Sequence, residues 1–106
     1  MKKFQYTLHK ELWNWLADNP DKEKYQWPKF IGNGGDISIP SHYCFACCYA
    51  KHCYDIYFDC PLKFKMYKND CLGGMYYYYE EAVGEKRSIY ARLIANLPVK
   101  EGIDYI

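Results

Sequence analysis

The residues best suited to chemistry are six cysteines, all between Cys44 and Cys71. Cys44-Phe45-Ala46-Cys47 is a C-x2-C turn, the spacing that brings two thiolates to one edge of a metal ion. Cys60 follows after twelve residues and Cys71 after ten more, with Gly73-Gly74 giving the backbone freedom to turn beside the last sulfur. Zinc takes four such ligands in a tetrahedron at about 2.3 Å. Cys44, Cys47, Cys60 and Cys71 are therefore the expected ligands of one Zn²⁺. Four thiolates fill the shell and leave no position for an activated water, so the expected metal is structural and the chain is not read as an enzyme. Closing the long loop between Cys47 and Cys71 suits a core this small, because apparent zinc binding energies are on the order of 10 kcal/mol or more. Without metal, the middle segment is expected to be disordered.

Cys48 and Cys53 are left over, and His42 or His52 offers a nitrogen ligand. Any of these could replace one of the four. Cys48 directly follows Cys47, and neighbouring side chains rarely point at one mononuclear ion, so Cys48 and Cys53 also read as small buried or half-buried side chains. Other chemistries find less in the sequence. Cys-Phe-Ala-Cys lacks the βαβ surroundings of a thioredoxin-like redox site. His9-Lys10-Glu11 has the His-x-Glu form of zinc deaminases, but Tyr43, not Pro, precedes the C-x2-C. Lys10 and Glu11 read instead as the solvated side of a helix, and His9, His42 and His52 as surface residues. A Cys53–His52 nucleophile is opposed by the divergence of adjacent side chains. Gly32-Asn33-Gly34-Gly35 lacks the Lys-Ser/Thr ending of a phosphate loop and reads as a turn.

Composition narrows the classes further. The 106 residues make one small domain, half hydrophobic and a quarter charged, which is a globular composition. The net charge of +1 does not suit a nucleic-acid wrapper. Between Cys44 and Cys71, Lys51, Lys63, Lys65 and Lys68 stand against Asp55, Asp59 and Asp70. With four thiolates and one Zn²⁺ the module carries about −1, a poor footprint for phosphate, so direct nucleic-acid binding is not expected. The opening residues are not followed by an apolar run of signal-peptide length, and no segment approaches the roughly 20 apolar residues that span a bilayer. A reducing cytosol, with no membrane partner, is the expected setting, and there clustered cysteines favour metal over disulfides. Thirteen tyrosines supply rigid contact area with polar tips, which suits protein interfaces.

These side chains must be positioned by three segments, 1–39, 40–75 and 76–106. In the first, Leu8, Leu12, Trp15 and Leu16 mark one helical face, with Thr7 as N-cap and Asn19-Pro20 as the stop. Asp21 to Lys24 reads as a solvated connection, Trp27-Pro28 and Phe30-Ile31 as apolar anchors, and Asp36 to Ile39 as a short strand. In the second, Tyr54, Ile56 and Phe58, then Leu62, Phe64 and Met66, alternate with polar residues around Cys60-Pro61, which predicts a small hairpin. In the third, Met75 to Val83 predicts a helix loosened at Gly84. Ile89, Tyr90, Leu93, Ile94 and Leu97 predict a second, starting near Glu85 or Ser88 and ended by Pro98. Of Tyr76 to Tyr79, some must pack inside and one or two face solvent. The expected architecture is α+β: a small, mainly helical single domain stapled by a zinc-knuckle-like four-cysteine module with a short β-hairpin. The terminal helices are expected to pack over that module through Leu8, Leu12, Leu16, Leu93 and Leu97.

Cys44 to Cys47, Cys60-Pro61-Leu62, the run Cys71 to Tyr76, the helix end Ala91 to Pro98 and Leu12-Trp-Asn-Trp-Leu16 together resemble small proteins of Firmicutes phages and prophages. The resemblance spans about two-thirds of the chain. It departs from a paired-knuckle pattern at Tyr57, where a regular second knuckle carries Cys, and this keeps Cys53 a candidate ligand. The whole is similar to metal-binding type II-A anti-CRISPR proteins of streptococcal phages. That resemblance implies a phage anti-defence protein that binds Cas9 or its guide-RNA complex and blocks DNA loading or cleavage by occupying protein surface. On that reading surface tyrosines with Glu80, Glu81 and Glu85 are the preferred contacts; otherwise these carboxylates read as a solvated helix face. The alternative is a zinc-containing phage nucleic-acid-binding or regulatory module.

Overall fold

The computed structural model describes residues 3–38, 45–46, 61–62 and 75–106, with the backbone alone for Met75 and Tyr76. It is a mainly helical small domain. Helix α1 spans Tyr6–Asp18, α2 spans Met75–Glu81 and α3 spans Gly84–Ala95. Two 3-10 turns, Lys24–Gln26 and Ile31–Asn33, shape the connection after α1. The zinc module expected over 40–75 lies outside the described residues apart from Phe45, Ala46, Pro61, Leu62 and the backbone of Met75, and of the hairpin expected between residues 54 and 66 only Pro61 and Leu62 are described.

Helix α1 forms because apolar and aromatic side chains recur on one face. His9, Leu12, Trp13, Leu16 and Ala17 are all buried, at i, i+3, i+4, i+7 and i+8. This face is rotated slightly from the expected one, since Leu8 and Trp15 only pack against the core from its edge. Trp13 is the largest fully buried side chain. The helix starts one residue before Thr7, which is its second residue and not its N-cap. Gln5 occupies the cap position with no side-chain bond. The orphan N–H of Thr7 donates instead to the Ile106 carbonyl at 2.9 Å, so the chain's last residues do the capping. The helix ends at Asn19-Pro20 as expected, where Asn19 Nδ2 donates to the Trp15 carbonyl at 2.8 Å.

Helix α3 runs antiparallel to α1. His9 meets Ile94, Asn14 and Asp18 meet Arg92, and Pro20 and Glu23 meet Arg87. The seam is close because α3 presents Ala91 and Ala95 beside Ile94. Leu93, expected to pack inward, is instead 44% exposed, and Ile89 is 52% exposed. The expected stripe mixed two faces: the small residues Ala91 and Ala95 take the inner one and leave Ile89 and Leu93 outside. Leu97 and Ile94 are buried as expected. The break between α2 and α3 falls at Ala82-Val83, one step before the expected Gly84, which opens α3 with a φ of 60° that an L side chain would adopt only with strain.

The 3-10 turns pin two aromatics. Trp27 and Phe30 are buried and meet edge to face at 5.1 Å. Ile31, expected as an anchor, is exposed. The turn at Gly32 to Gly35 is real: Gly34 sits at φ 96°, and a Cβ on Gly35 would collide with the Lys29 backbone. The strand expected at Asp36 to Ile39 is seen only as a parallel bridge from Ile37 to Phe30, and Ile39 lies outside the described residues. Two more isolated bridges among the described residues, Phe4 to Tyr105 and Leu62 to Val99, tie the C-terminal tail to the start and to the middle of the chain. Among the described residues, no helix is long and apolar enough to cross a membrane.

Candidate metal centre and binding surface

Cys44, Cys47, Cys60 and Cys71 lie outside the described residues, as do Cys48, Cys53, His42 and His52. For Cys44, Cys47 and Cys60 one covalent neighbour is described in each case, and these neighbours are buried. Phe45 and Ala46, the two residues inside the C-x2-C, are buried, and the Phe45 ring meets Trp27 edge to face at 6.1 Å. Pro61 and Leu62, which follow Cys60, are also buried. The Pro61 carbonyl accepts a 2.8 Å bond from the Lys100 N–H, and Leu62 bridges Val99. Phe45, Ala46 and Leu62 belong to one core cluster. The backbone bonded to three of the four expected ligands is thus anchored in a common apolar core, which lowers the entropy lost when distant sulfurs gather on one ion. The donor set itself, soft thiolates in a C-x2-C and two later positions, fits zinc. Among the described residues, no group of three or more His, Cys, Asp or Glu side chains is placed to hold a metal.

His9, expected on the surface, is instead 1% exposed. It sits on the inner face of α1 because an uncharged imidazole packs as an aromatic: Tyr6 stacks on it at 5.9 Å, with Phe4 and Trp13 tilted alongside. Its Nε2 lies 3.0 Å from the Ile94 carbonyl, to which the neutral ring donates. Among the described residues its Nδ1 has no hydrogen-bond partner. Burial pushes its pKa down to about 4, the Ile94 carbonyl opposes this, and the Lys10 charge adds to it. Glu11 is exposed and pairs with Lys29 at 3.1 Å, so His9 and Glu11 do not share a face as a deaminase His-x-Glu would require.

The tyrosine run divides as its helical position demands. Tyr79 is buried, edge to face with Trp13 at 4.9 Å and covered by the Arg87 guanidinium at 4.4 Å from its ring centre. Burial raises its phenol to about 12 despite the opposing Arg87 charge, so it is a neutral structural side chain at ordinary pH. Tyr77 and Tyr78 are 52% and 39% exposed. They meet each other edge to face, and Tyr78 stacks on Tyr90 of α3 at 5.8 Å. Glu80, Glu81 and Glu85 are exposed on the same two helices. This is a small aromatic surface flanked by carboxylates, backed by the rigid Tyr79–Trp13–Arg87 stack. The sequence pointed to it through the helical phase of four consecutive tyrosines. Arg87 was not anticipated, and its spacing of eight from Tyr79 across a helix break carried no signal.

No protein-family model, curated protein or solved structure matches the chain.

Proposed function

We propose that this chain is a phage anti-defence protein that binds Cas9 or its guide-RNA complex through protein surface and blocks DNA loading or cleavage. In this reading a structural Zn²⁺ is held by Cys44, Cys47, Cys60 and Cys71. When bound, the ion supplies cross-linking of distant chain segments and no reaction chemistry. The chain's own residues do the rest: Phe45, Ala46, Pro61 and Leu62 root the cysteine-bearing backbone in the core, and α2 and α3 present the binding face.

The observation that carries the reading is the exposed Tyr77–Tyr78 pair, stacked on the half-buried Tyr90, on the same two helices as exposed Glu80, Glu81 and Glu85. Tyrosine gives large contact area at small entropic cost, and carboxylates complement the basic channel of a protein built to hold nucleic acid. The segment 75–106 carries five carboxylate and four basic side chains. Two of those cations are already engaged, Arg87 with Glu23 and Arg92 with Asp18. Such a face suits a nucleic-acid-binding protein as partner better than nucleic acid itself.

The test is a cleavage assay with purified, zinc-loaded chain added to Cas9 and guide RNA before target DNA. Inhibition is expected, with a co-sedimenting complex, and a Tyr77→Ala/Tyr78→Ala variant should inhibit about tenfold less well or worse. Undiminished cleavage together with no recovered complex overturns the reading. Salt-dependent binding of DNA or RNA by the isolated chain would favour the nucleic-acid module instead.

A further inference from the structure

The outer face of α3 carries a pattern that the contacts among the described residues leave largely unused. Glu85, Ser88, Ile89, Arg92 and Leu93 line an open depression of about 360 Å³. Ile89 and Leu93 are among the large apolar side chains left exposed. Glu85 and Arg92 are seven residues apart, close to two turns, so both lie near the middle of this face, roughly 10 Å apart along the axis. Ile89 and Leu93 run beside them on one flank, and Ser88 lies on the other.

Such a face is complementary to itself. If two copies of α3 meet antiparallel about a two-fold axis between Ser88 and Ile89, each Glu85 falls opposite the other copy's Arg92. The same rotation keeps the apolar flank on the apolar flank, so Ile89 meets Ile89, with Leu93 beside it. Two opposite-charge pairs then bracket one apolar contact. A parallel arrangement would place Glu85 against Glu85 and Arg92 against Arg92. Arg92 is fixed by its own fold, its guanidinium donating to Asn14 Oδ1 and Asp18 Oδ1, both at 2.8 Å; it remains half exposed, so in the dimer Asp18 and the other copy's Glu85 would share one guanidinium.

We propose that the outer face of α3 is a homodimer interface in which a second copy docks antiparallel through Glu85–Arg92 pairs around Ile89. The inference does not rest on the Cas9 reading, although Glu85 belongs to both surfaces, and Ile89→Glu is the variant that touches the dimer face alone. One twelve-residue helix buries less than the roughly 800 Å² per partner of a stable complex, so the dimer is weak, with dissociation on the order of 100 µM.

Sedimentation of the full zinc-loaded chain over about 10 µM to 1 mM tests this. The average mass is expected to rise from 12.7 kDa toward twice that value. Glu85→Arg and Arg92→Glu each place like charges opposite one another and should stay monomeric throughout. Mixed in equal amounts, the two variants should dimerise with each other, because every pair across the interface is then opposite in charge. Helical circular dichroism checks that both fold. Should Arg92→Glu fail to fold for want of its Asp18 contact, Ile89→Glu carries the test, since that side chain lies outside the core and its loss of dimer has no folding explanation. A wild-type chain that stays at 12.7 kDa across the range, a dimer that survives Ile89→Glu, or two folded variants that do not associate when mixed would each overturn the proposal.

Discussion

At position 9 a neutral imidazole is part of the α1–α3 seam, and this ties stability to pH. The folded pKa of about 4 lies below the ordinary 6.5, chiefly because burial penalises the charged ring. Between those values the unfolded chain binds a proton that the folded chain does not. Stability from this group is therefore complete above about pH 6.5 and is lost as pH falls toward 4. The full effect is about 3 kcal/mol. Urea unfolding at pH 7.5 and 4.5 should show wild type losing about 2–3 kcal/mol more than His9→Gln over that interval. Comparing the two proteins isolates position 9 from any acid release of a metal, which both share. Equal losses would show that His9 is not held neutral. The sequence placed His9 on the surface because histidine counts as polar in a periodicity reading. Scored as an aromatic, it completes the 9, 12, 13, 16 face, so the signal was present but was assigned to the wrong class.

Among the elements, α1 was the most legible, because its repeat is dense and Asn19-Pro20 gives a clear stop. Its start was not legible: the cap on Thr7 is a carbonyl at the far end of the chain, and no local pattern encodes that. Helix α3 shows the limit of hydropathy more sharply. Large apolar residues at 89 and 93 looked like core, yet close approach to α1 selects Ala91 and Ala95 for the seam. Side-chain size at the contact, set by a partner helix more than 70 positions away, decided which face turned inward. This makes a direct prediction. Trp13→Ala, which empties a fully buried site, should cost about 3–5 kcal/mol. Leu93→Ala, measured at concentrations too low for self-association, should cost under about 1 kcal/mol. Denaturant titration of both variants checks it. A larger loss at Leu93 than at Trp13 would mean that the faces of α3 are reversed.

For the whole molecule, the described core explains how the two ends of the chain hold together: α1 and α3 pack antiparallel, and the tail returns to cap α1. It also explains how a central module would be rooted, through Phe45 and Ala46 on one side and Pro61 and Leu62 on the other. The cysteine spacing suggests a metal from sequence alone, because two thiolates in a C-x2-C turn suit one edge of an ion. The choice among Cys48, Cys53 and the histidines could not, because ligand selection depends on where side chains point in three dimensions. Zinc should therefore behave as a folding ligand, stabilising the chain through binding energy that the unfolded state lacks. The most direct measurement is native mass spectrometry of freshly purified, chelator-free protein, wild type beside Cys44→Ser and Cys71→Ser. One zinc per wild-type chain, absent from both variants, is the predicted result; a metal-free wild-type chain, or variants that keep their zinc, would contradict it.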